Sequence, residues 1–512
     1  MAKALLINPG FELEKHRARD NYVFPFGLAY IAAHAEKYGH QIKVWDIHGT
    51  RLDYDQVVAQ IEQMDISRYD LIGITGIVNQ YLYVKKLTEL LKKYTKARIV
   101  LGGPLSSYSS DIILKHTMVD ICVIGEGEQT FLDLLNGVPL SEINGIAFKS
   151  NDEILKTGFR EQITDLDSIG YPAFHLFDMD FYITHTGMMD ILRPYHKNKR
   201  IMSLITSRGC PYNCRFCSKS TEGTRMKSLD FLFKEIEYYK NELRIEAIHF
   251  VDELLLLNKK RFLEFCRRIK EYNIDWDCQG RINLVDEEIL RAMKASNGIC
   301  IGFGIESGSQ KILDAMDKKI KREDIKKVLS YCLKIRLPVK IQLIFGYPGE
   351  NSQTLNETVS LFKDVRLPGR RFGVITPLPG APLYEEAKRD GFIGDKETDR
   401  FTEVEYLEFL SNSGGWVNTE AFYNRTEFPD DVFFFTLYTT NNLMFNQFLV
   451  TILRRPFFII KYRSLYKLYI RNWWRYRDNL IIFSIPKFFM KVVAHPEDCL
   501  KFLKITGKIF RT

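Results

Sequence analysis

The stretch TSRGCPYNCRFCSKS, Thr206 to Ser220, places Cys210, Cys214 and Cys217 in the spacing C-x3-C-x2-C. Thiolates gathered on one loop invite a metal. Structural zinc asks for four protein ligands, and no second C-x2-C or histidine pair lies nearby. An iron–sulfur cubane is normally held by four cysteines. Three leave one iron open, and an open iron can bind a small molecule. Three unrelated buried thiols are the alternative, but their clustering beside Gly209 and Pro211 in a turn argues against it. The other cysteines, Cys122, Cys266, Cys278, Cys300, Cys332 and Cys499, stand singly in apolar segments. That scatter and the odd total predict reduced thiols and a cytoplasmic protein, not a disulfide framework.

The elements around this loop must position it. At 512 residues, 46% hydrophobic and 27% charged, the chain has room for several domains. Over 1–135, short apolar runs (KALLINP, QIKVWDI, YDLIGITG, ARIVLGGP, VDICVIGEGE) alternate with the amphipathic stretches PFGLAYIAAHAEKYGH, YLYVKKLTELLKKYT and QTFLDLL. This alternation predicts a doubly wound parallel sheet, which binds ligands at the carboxyl ends of its strands. Gly10, Gly27, Gly76, Gly102, Gly103, Gly125 and Gly127 sit there. No G-x-G-x-x-G follows the first strand, which counts against a dinucleotide. Residues 136–198 are expected to be a linker containing a small hairpin at INGIAFKSNDEILKTG. Over 199–390, six strand-like runs (IMSLITS, AIHFVD, WDCQGRI, ICIGFGIES, VKIQLIFGYP, RRFGVITPLP) are separated by amphipathic helices. They predict a closed or partial barrel with its chemistry at the C-terminal strand ends, where the cysteine loop follows the first strand. Residues 391–512, rich in Phe, Tyr and Trp, are expected to form a separate α-helical region.

The C-x3-C-x2-C loop, with the aromatic Phe216 before its last cysteine, resembles that of the radical S-adenosylmethionine (SAM) superfamily. The resemblance implies an oxygen-sensitive [4Fe–4S] cluster on Cys210, Cys214 and Cys217, whose open iron chelates SAM and whose electron releases a 5′-deoxyadenosyl radical. It also implies a partial (β/α)6 TIM-like barrel. Further SAM contacts are implied at Phe216, at Asp252 and Glu253 in FVDELL, and at Arg281 in QGRIN as a carboxylate partner. Glu306 and Ser307 in GFGIESGSQKIL and Gly346 in IFGYPGE complete the set. Each could equally be a strand-end turn; their order after the cysteines is what gives them weight.

The first domain is similar to the Rossmann-like cobalamin-binding domain that precedes the barrel in class B radical SAM proteins. The two resemblances span roughly 1–390. They imply corrin contacts at Asn8, Gly27, Thr75, Gly76, Gly102, Gly103 and Pro104, and in the GEGE run at Gly125, Glu126, Gly127 and Glu128. WDIHG, Trp45 to Gly49, half-resembles the D-x-H-x-x-G signature of histidine-ligated cobalamin, but position 51 is Arg51 and the stretch follows the second strand. His48 is therefore expected to be a surface or loop histidine, and cobalamin to bind base-off without it.

Such a protein is expected to methylate an unactivated carbon, using one SAM to methylate cobalamin and another to activate the substrate. The alternative is radical cyclisation or rearrangement, as in the anaerobic magnesium-protoporphyrin ester cyclase, without methyl transfer. A methylthiotransferase lacks its second three-cysteine loop here, and a non-catalytic sensor has no use for a reactive cluster. A flavodoxin- or ferredoxin-type electron donor is implied. The net charge of +8 is concentrated at the end of the chain: 451–512 holds 14 Lys/Arg against 3 Asp/Glu, interleaved with aromatic residues. This tail is expected to be a helical cap or a membrane-surface contact at the inner face, the latter fitting a lipid or isoprenoid substrate. Nucleic acid is disfavoured, because no RNA-binding module is present.

Overall fold

The computed structural model describes residues 1–11, 22–151, 153–186, 192, 198–219, 221–367, 372–413 and 422–430, with 433, 436 and 440. The tail at 451–512 lies outside the described residues.

The N-terminal apolar runs form β1 (Lys3–Asn8), β2 (Gln41–Asp46), β3 (Leu71–Thr75), β4 (Arg98–Gly102) and β5 (Ile121–Val123). They pair in the order β2-β1-β3-β4-β5, all parallel. β1, β3 and β4 are buried along most of their length, because helices cover both faces of the sheet. The helices are α1 (Phe26–Lys37), the single turn α2 (Ile47–Thr50), α3 (Tyr54–Gln63), α4 (Tyr81–Leu91), α5 (Pro104–His116) and α6 (Glu128–Leu135). Three of them, α2, α3 and α5, go beyond the sequence expectation. α5 begins PLSSYSS, and its serines hide the helical period; Pro104 starts it and Ser106 bonds back to the Val123 carbonyl.

The hairpin expected in the linker is present as β6 (Ile146–Ser150) and β7 (Glu153–Lys156), and it extends the first sheet. β6 pairs antiparallel with β5, Ile121 opposite Phe148, making seven strands. The segment after the hairpin is also packed: Phe174 and Tyr182, the latter on α7 (Met179–His185), are buried. The Tyr182 hydroxyl donates to Asp46 Oδ2 at 2.7 Å.

The second sheet has six parallel strands: β8 (Ile201–Leu204), then β11 (Ala247–Phe250), β12 (Asp275–Gly280), β13 (Gly298–Glu306), β14 (Val339–Phe345) and β15 (Phe372–Val374). β8 and β15 are its unpaired edges, so the barrel is partial. The outer face of the sheet packs on helices α8 (Leu229–Asn241) to α13 (Ser352–Val365), with Phe250, Phe262, Phe265 and Trp276 edge to face at the centre. Between β8 and α8 lies a short antiparallel ribbon, β9 (Ser207–Arg208) and β10 (Arg225–Met226), which closes the base of the cysteine loop.

Beyond the barrel, α14 (Pro382–Arg389) and α15 (Glu403–Ser413) turn back to the first domain. Leu383, Tyr384, Tyr406 and Leu407 share one apolar core with Ile74, Tyr81 and Val84. Ser411 Oγ accepts from the Leu82 amide at 3.3 Å, and Lys85 pairs with Glu408 at 3.3 Å. Among the described residues no helix is long and apolar enough to cross a membrane.

Candidate active site

Asp252 holds the strand that leads into the cysteine loop. Its Oδ1 accepts from the Thr206 amide at 2.8 Å, the Thr206 hydroxyl at 2.9 Å and the Ser207 hydroxyl at 2.6 Å. Oδ2 has no partner among the described residues although Asp252 is buried. Within the loop Cys214 is buried, Cys210 partly exposed and Cys217 exposed. The Cys217 amide donates to the Cys214 carbonyl at 3.1 Å, and the Arg215 amide to the Met316 carbonyl at 3.0 Å, so the turn is fixed by backbone as well. Among the described residues no three His, Cys, Asp or Glu side chains converge as they would on a single metal ion.

Arg281, at the end of β12, is buried beside the loop. Its Nη1 lies 3.7 Å from Cys214 Sγ, and the guanidinium stacks 3.6 Å above the Tyr212 ring. Nε and Nη2 are buried without a partner among the described residues. Glu253 is exposed at the rim; partial desolvation and Asp252 push its carboxyl up, against Lys219.

The remaining barrel positions each make contacts within the fold. Glu306 sits at a β-bulge with φ +67° and accepts from Lys318 Nζ at 2.7 Å. Ser307 Oγ accepts from the Ser309 amide and meets Thr358 Oγ1 at 3.3 Å. Gly346 has φ +84°, and its amide donates to buried Glu350. Phe216 packs toward the core shared with the first domain, under Lys318.

The carboxyl ends of the two sheets face each other across a cleft enclosing about 1360 Å3 of empty space, counted to its open mouth. From the first domain it is lined by Gly27, Thr75, Gly102, Gly103, Pro104, Gly125, Glu126, Gly127 and Glu128, over an apolar floor that includes Leu6, Ile74, Val100 and Phe131. The barrel contributes Ile205, Ser207, Arg208, Gly209, Thr221, Val251, Asp252 and Glu253. A Cβ on Gly27 or Gly125 would meet no atom within 4 Å, so side chains there would project into the cleft. Gly103 has φ +86°, and a Cβ would come 2.7 Å from the Gly76 carbonyl, so it must be glycine for the turn itself. A bare floor ringed by small residues fits the face of a large planar macrocycle. Asn8 and Gly76 are not in the lining: Asn8 bonds Asp46, and Gly76 links to Gly102 and Leu105 through its backbone. His48 is not in it either, but it is not a loop residue. It lies half-buried on α2, its ring 4.8 Å from that of Tyr22.

The arginines that meet the GEGE loop were not anticipated. Arg208 Nη1 donates to Glu126 Oε1 at 2.8 Å and its Nη2 to Glu128 Oε1 at 2.6 Å. Arg225 Nη1 reaches Glu126 Oε2 at 2.9 Å, and the Ile163 amide donates to the same oxygen at 2.8 Å. Burial would push the Glu126 carboxyl up, but the arginine hydrogen bonds outweigh it and hold it below its ordinary value. Both strands of the ribbon under the cysteine loop are thus pinned to the GEGE loop of the first domain. Tyr108 of α5 was also missed. Its hydroxyl is buried without a partner among the described residues. Desolvation, with Cys217 and Glu253 nearby, pushes the phenol up to about 12.

Comparison with known proteins agrees with this geometry. Residues 17–135 match the B12 binding domain model and residues 204–362 the radical SAM superfamily model. The chain joins a B12 binding domain to a radical SAM domain. This radical SAM protein is 28% identical to an uncharacterized methyltransferase of Pyrococcus horikoshii, covering 79% of the chain and 87% of the relative. It is 28% identical to the cytidylyl-2-hydroxyethylphosphonate methyltransferase of Streptomyces wedmorensis, covering 77% and 83%. It is 26% identical to the anaerobic magnesium-protoporphyrin IX monomethyl ester cyclase of Rubrivivax gelatinosus, covering 77% and 70%. Its fold resembles the radical SAM methyltransferase TsrM of Kitasatospora setae, solved with cobalamin and a [4Fe–4S] cluster, at a TM-score of 0.62, 16% identity and coverage of 77% and 79%. As a radical SAM enzyme it acts on an organic substrate and needs a reductant.

Proposed function

We propose that this enzyme transfers a methyl group from SAM to an unactivated carbon of its substrate. The observation that carries the reading is the cleft in which the glycine-ringed apolar floor of the first sheet faces Ser207, Arg208 and Gly209, at the base of the cysteine loop. The two relatives named as methyltransferases support it. In this reading Cys210, Cys214 and Cys217 hold the [4Fe–4S] cluster. Gly27, Thr75, Gly102, Gly103, Pro104 and the GEGE loop receive base-off cobalamin, with no ligand from His48. Arg281 and Glu253 face SAM, and Asp252 reaches it through Oδ2. Bound there, the cluster with SAM supplies hydrogen abstraction and the corrin supplies a methyl carrier. The chain keeps the two sites in register and, by the apolar floor, excludes water from the space between them.

The assay is anaerobic turnover with both S-adenosylhomocysteine and 5′-deoxyadenosine measured. Methylation yields both. Deoxyadenosine alone would instead favour a cyclase-type reaction, the second reading, which the Rubrivivax relative keeps open. Changing all three cysteines to alanine is expected to remove the iron and the deoxyadenosine; a full cluster in that variant would refute the ligand assignment.

The finer reading places the enzyme at the inner membrane face. It receives electrons from a flavodoxin- or ferredoxin-type donor and acts on a lipid or isoprenoid. This rests on the basic, aromatic composition of 451–512.

A further inference from the structure

We propose that Arg281 is a tuning residue of the cluster, donating a charge-assisted hydrogen bond from Nη1 to the Cys214 thiolate. The inference rests on the reading of the three cysteines as cluster ligands. Arg281 is 6% exposed, and its one polar contact among the described residues is with that sulfur. A guanidinium cannot shed its proton, so burial without a counter-charge is costly unless an anion belongs beside it. The nearest group of the right chemistry is Cys214 Sγ at 3.7 Å. As a cluster ligand that sulfur is a thiolate.

The approach is held from two sides. The guanidinium plane stacks on Tyr212, a residue of the cysteine loop itself, at 3.6 Å, and the Tyr212 hydroxyl accepts from Asn283 Nδ2 at 3.1 Å. Arg281 and Asn283 leave the same strand end, so β12 and the loop grip each other through one arginine and one tyrosine. With Nη1 directed at sulfur, the edge formed by Nε and Nη2 stays open to a carboxylate. Arg281 is therefore not consumed by a ligand carboxylate; it can serve both. Hydrogen bonds and positive charge at the sulfurs favour the more negative, reduced cluster, and so raise its reduction potential.

The test is the midpoint potential of the cluster in the full-length, anaerobically reconstituted protein without SAM, titrated with titanium(III) citrate and followed by EPR. Iron and sulfide are assayed in parallel. Arg281→Gln is expected to shift the midpoint to more negative potential. Arg281→Lys, which keeps the charge but not the stacked plane, is expected to shift it less. Tyr212→Leu leaves every cysteine and the arginine in place and is expected to shift it in the same direction; it carries the test should Arg281→Gln fail to take up a cluster. Wild-type midpoints in both Arg281→Gln and Tyr212→Leu would overturn the proposal. So would a difference that appears only when SAM is added, which would leave Arg281 as a carboxylate ligand alone. A wild-type protein that assembles no cluster would instead bring down the underlying reading of the cysteines.

Discussion

Gly27 shows how much one atom decides at this cleft. It opens α1 immediately after Phe26 in the cleft lining, and a Cβ there would meet no atom within 4 Å. Leucine is the better helix former by up to about 1 kcal/mol. Gly27→Leu is therefore expected to fold with equal or higher melting temperature while weakening hydroxocobalamin binding about tenfold or more, measured by equilibrium titration. Normal corrin affinity in that variant would show that the macrocycle lies elsewhere. Glu350 gives a prediction of another kind. It is fully buried, its Oε2 accepts from the Gly346 amide at 2.7 Å, and its Oε1 has no partner among the described residues. Desolvation pushes its carboxyl from 4.5 up to about 8. A raised acid favours the folded state fully below about pH 4.5, and that contribution is lost as the pH rises through about 8. Glu350→Gln, which has no proton to lose, is expected to gain melting temperature relative to wild type as the pH rises through that window. A constant difference across it would mean that the carboxyl is not buried as the fold requires.

At the scale of elements, the ribbon β9–β10 and the GEGE loop are joined by buried charge. Removing one partner of a buried pair costs about 3–5 kcal/mol, because the other is left without its counter-ion. Glu126→Ala strips the shared acid from Arg208 and Arg225 together and is expected to lower stability by roughly that amount in urea unfolding. A double-mutant cycle with Arg225→Leu should show coupling, and additive effects would refute the latch. None of this pairing was legible in the sequence, although both halves were in view. Arg208 lies in TSRGCP and Glu126 in GEGE, and only the facing of the two sheets brings them together. The strands themselves were legible: β1, β3 and β4 are buried and near-continuously apolar, the edge strand β2 alternates instead, and all five strands of the first domain and all six of the barrel stand on the runs that predict them. The helix α5 was not, since serines carry neither the period nor the propensity. The hairpin β6–β7 was seen as a hairpin, but its place on the edge of the first sheet depends on a pairing partner that local pattern cannot name. The three cysteines were singled out by their spacing, and the fold sets them on one loop closed by β9 and β10. Arg281 was singled out for a carboxylate, and its closeness to Cys214 needed the fold.

Over the whole molecule, α14 and α15 return to the first domain, so the chain clasps its two modules at a second place, away from the cleft. The last segment of the chain, 451–512, is the source of the positive net charge. Each basic residue near an anionic surface contributes about 1 kcal/mol, fading within a Debye length. The full chain is therefore expected to float with anionic liposomes at low ionic strength and to release as salt is raised, whereas a chain ending near Asp430 should not float. Equal behaviour of the two would remove the membrane and lipid-substrate readings together. The paired ends of the cysteine loop carry one more consequence for the molecule. Arg208 faces Arg225, so a segment of ~16 residues is already tied into a ring before any iron arrives. Closing a flexible ring of that size costs about 2.5 kcal/mol of chain entropy. Pairing β9 with β10 meets that cost on folding and leaves the three thiols gathered on one closed loop.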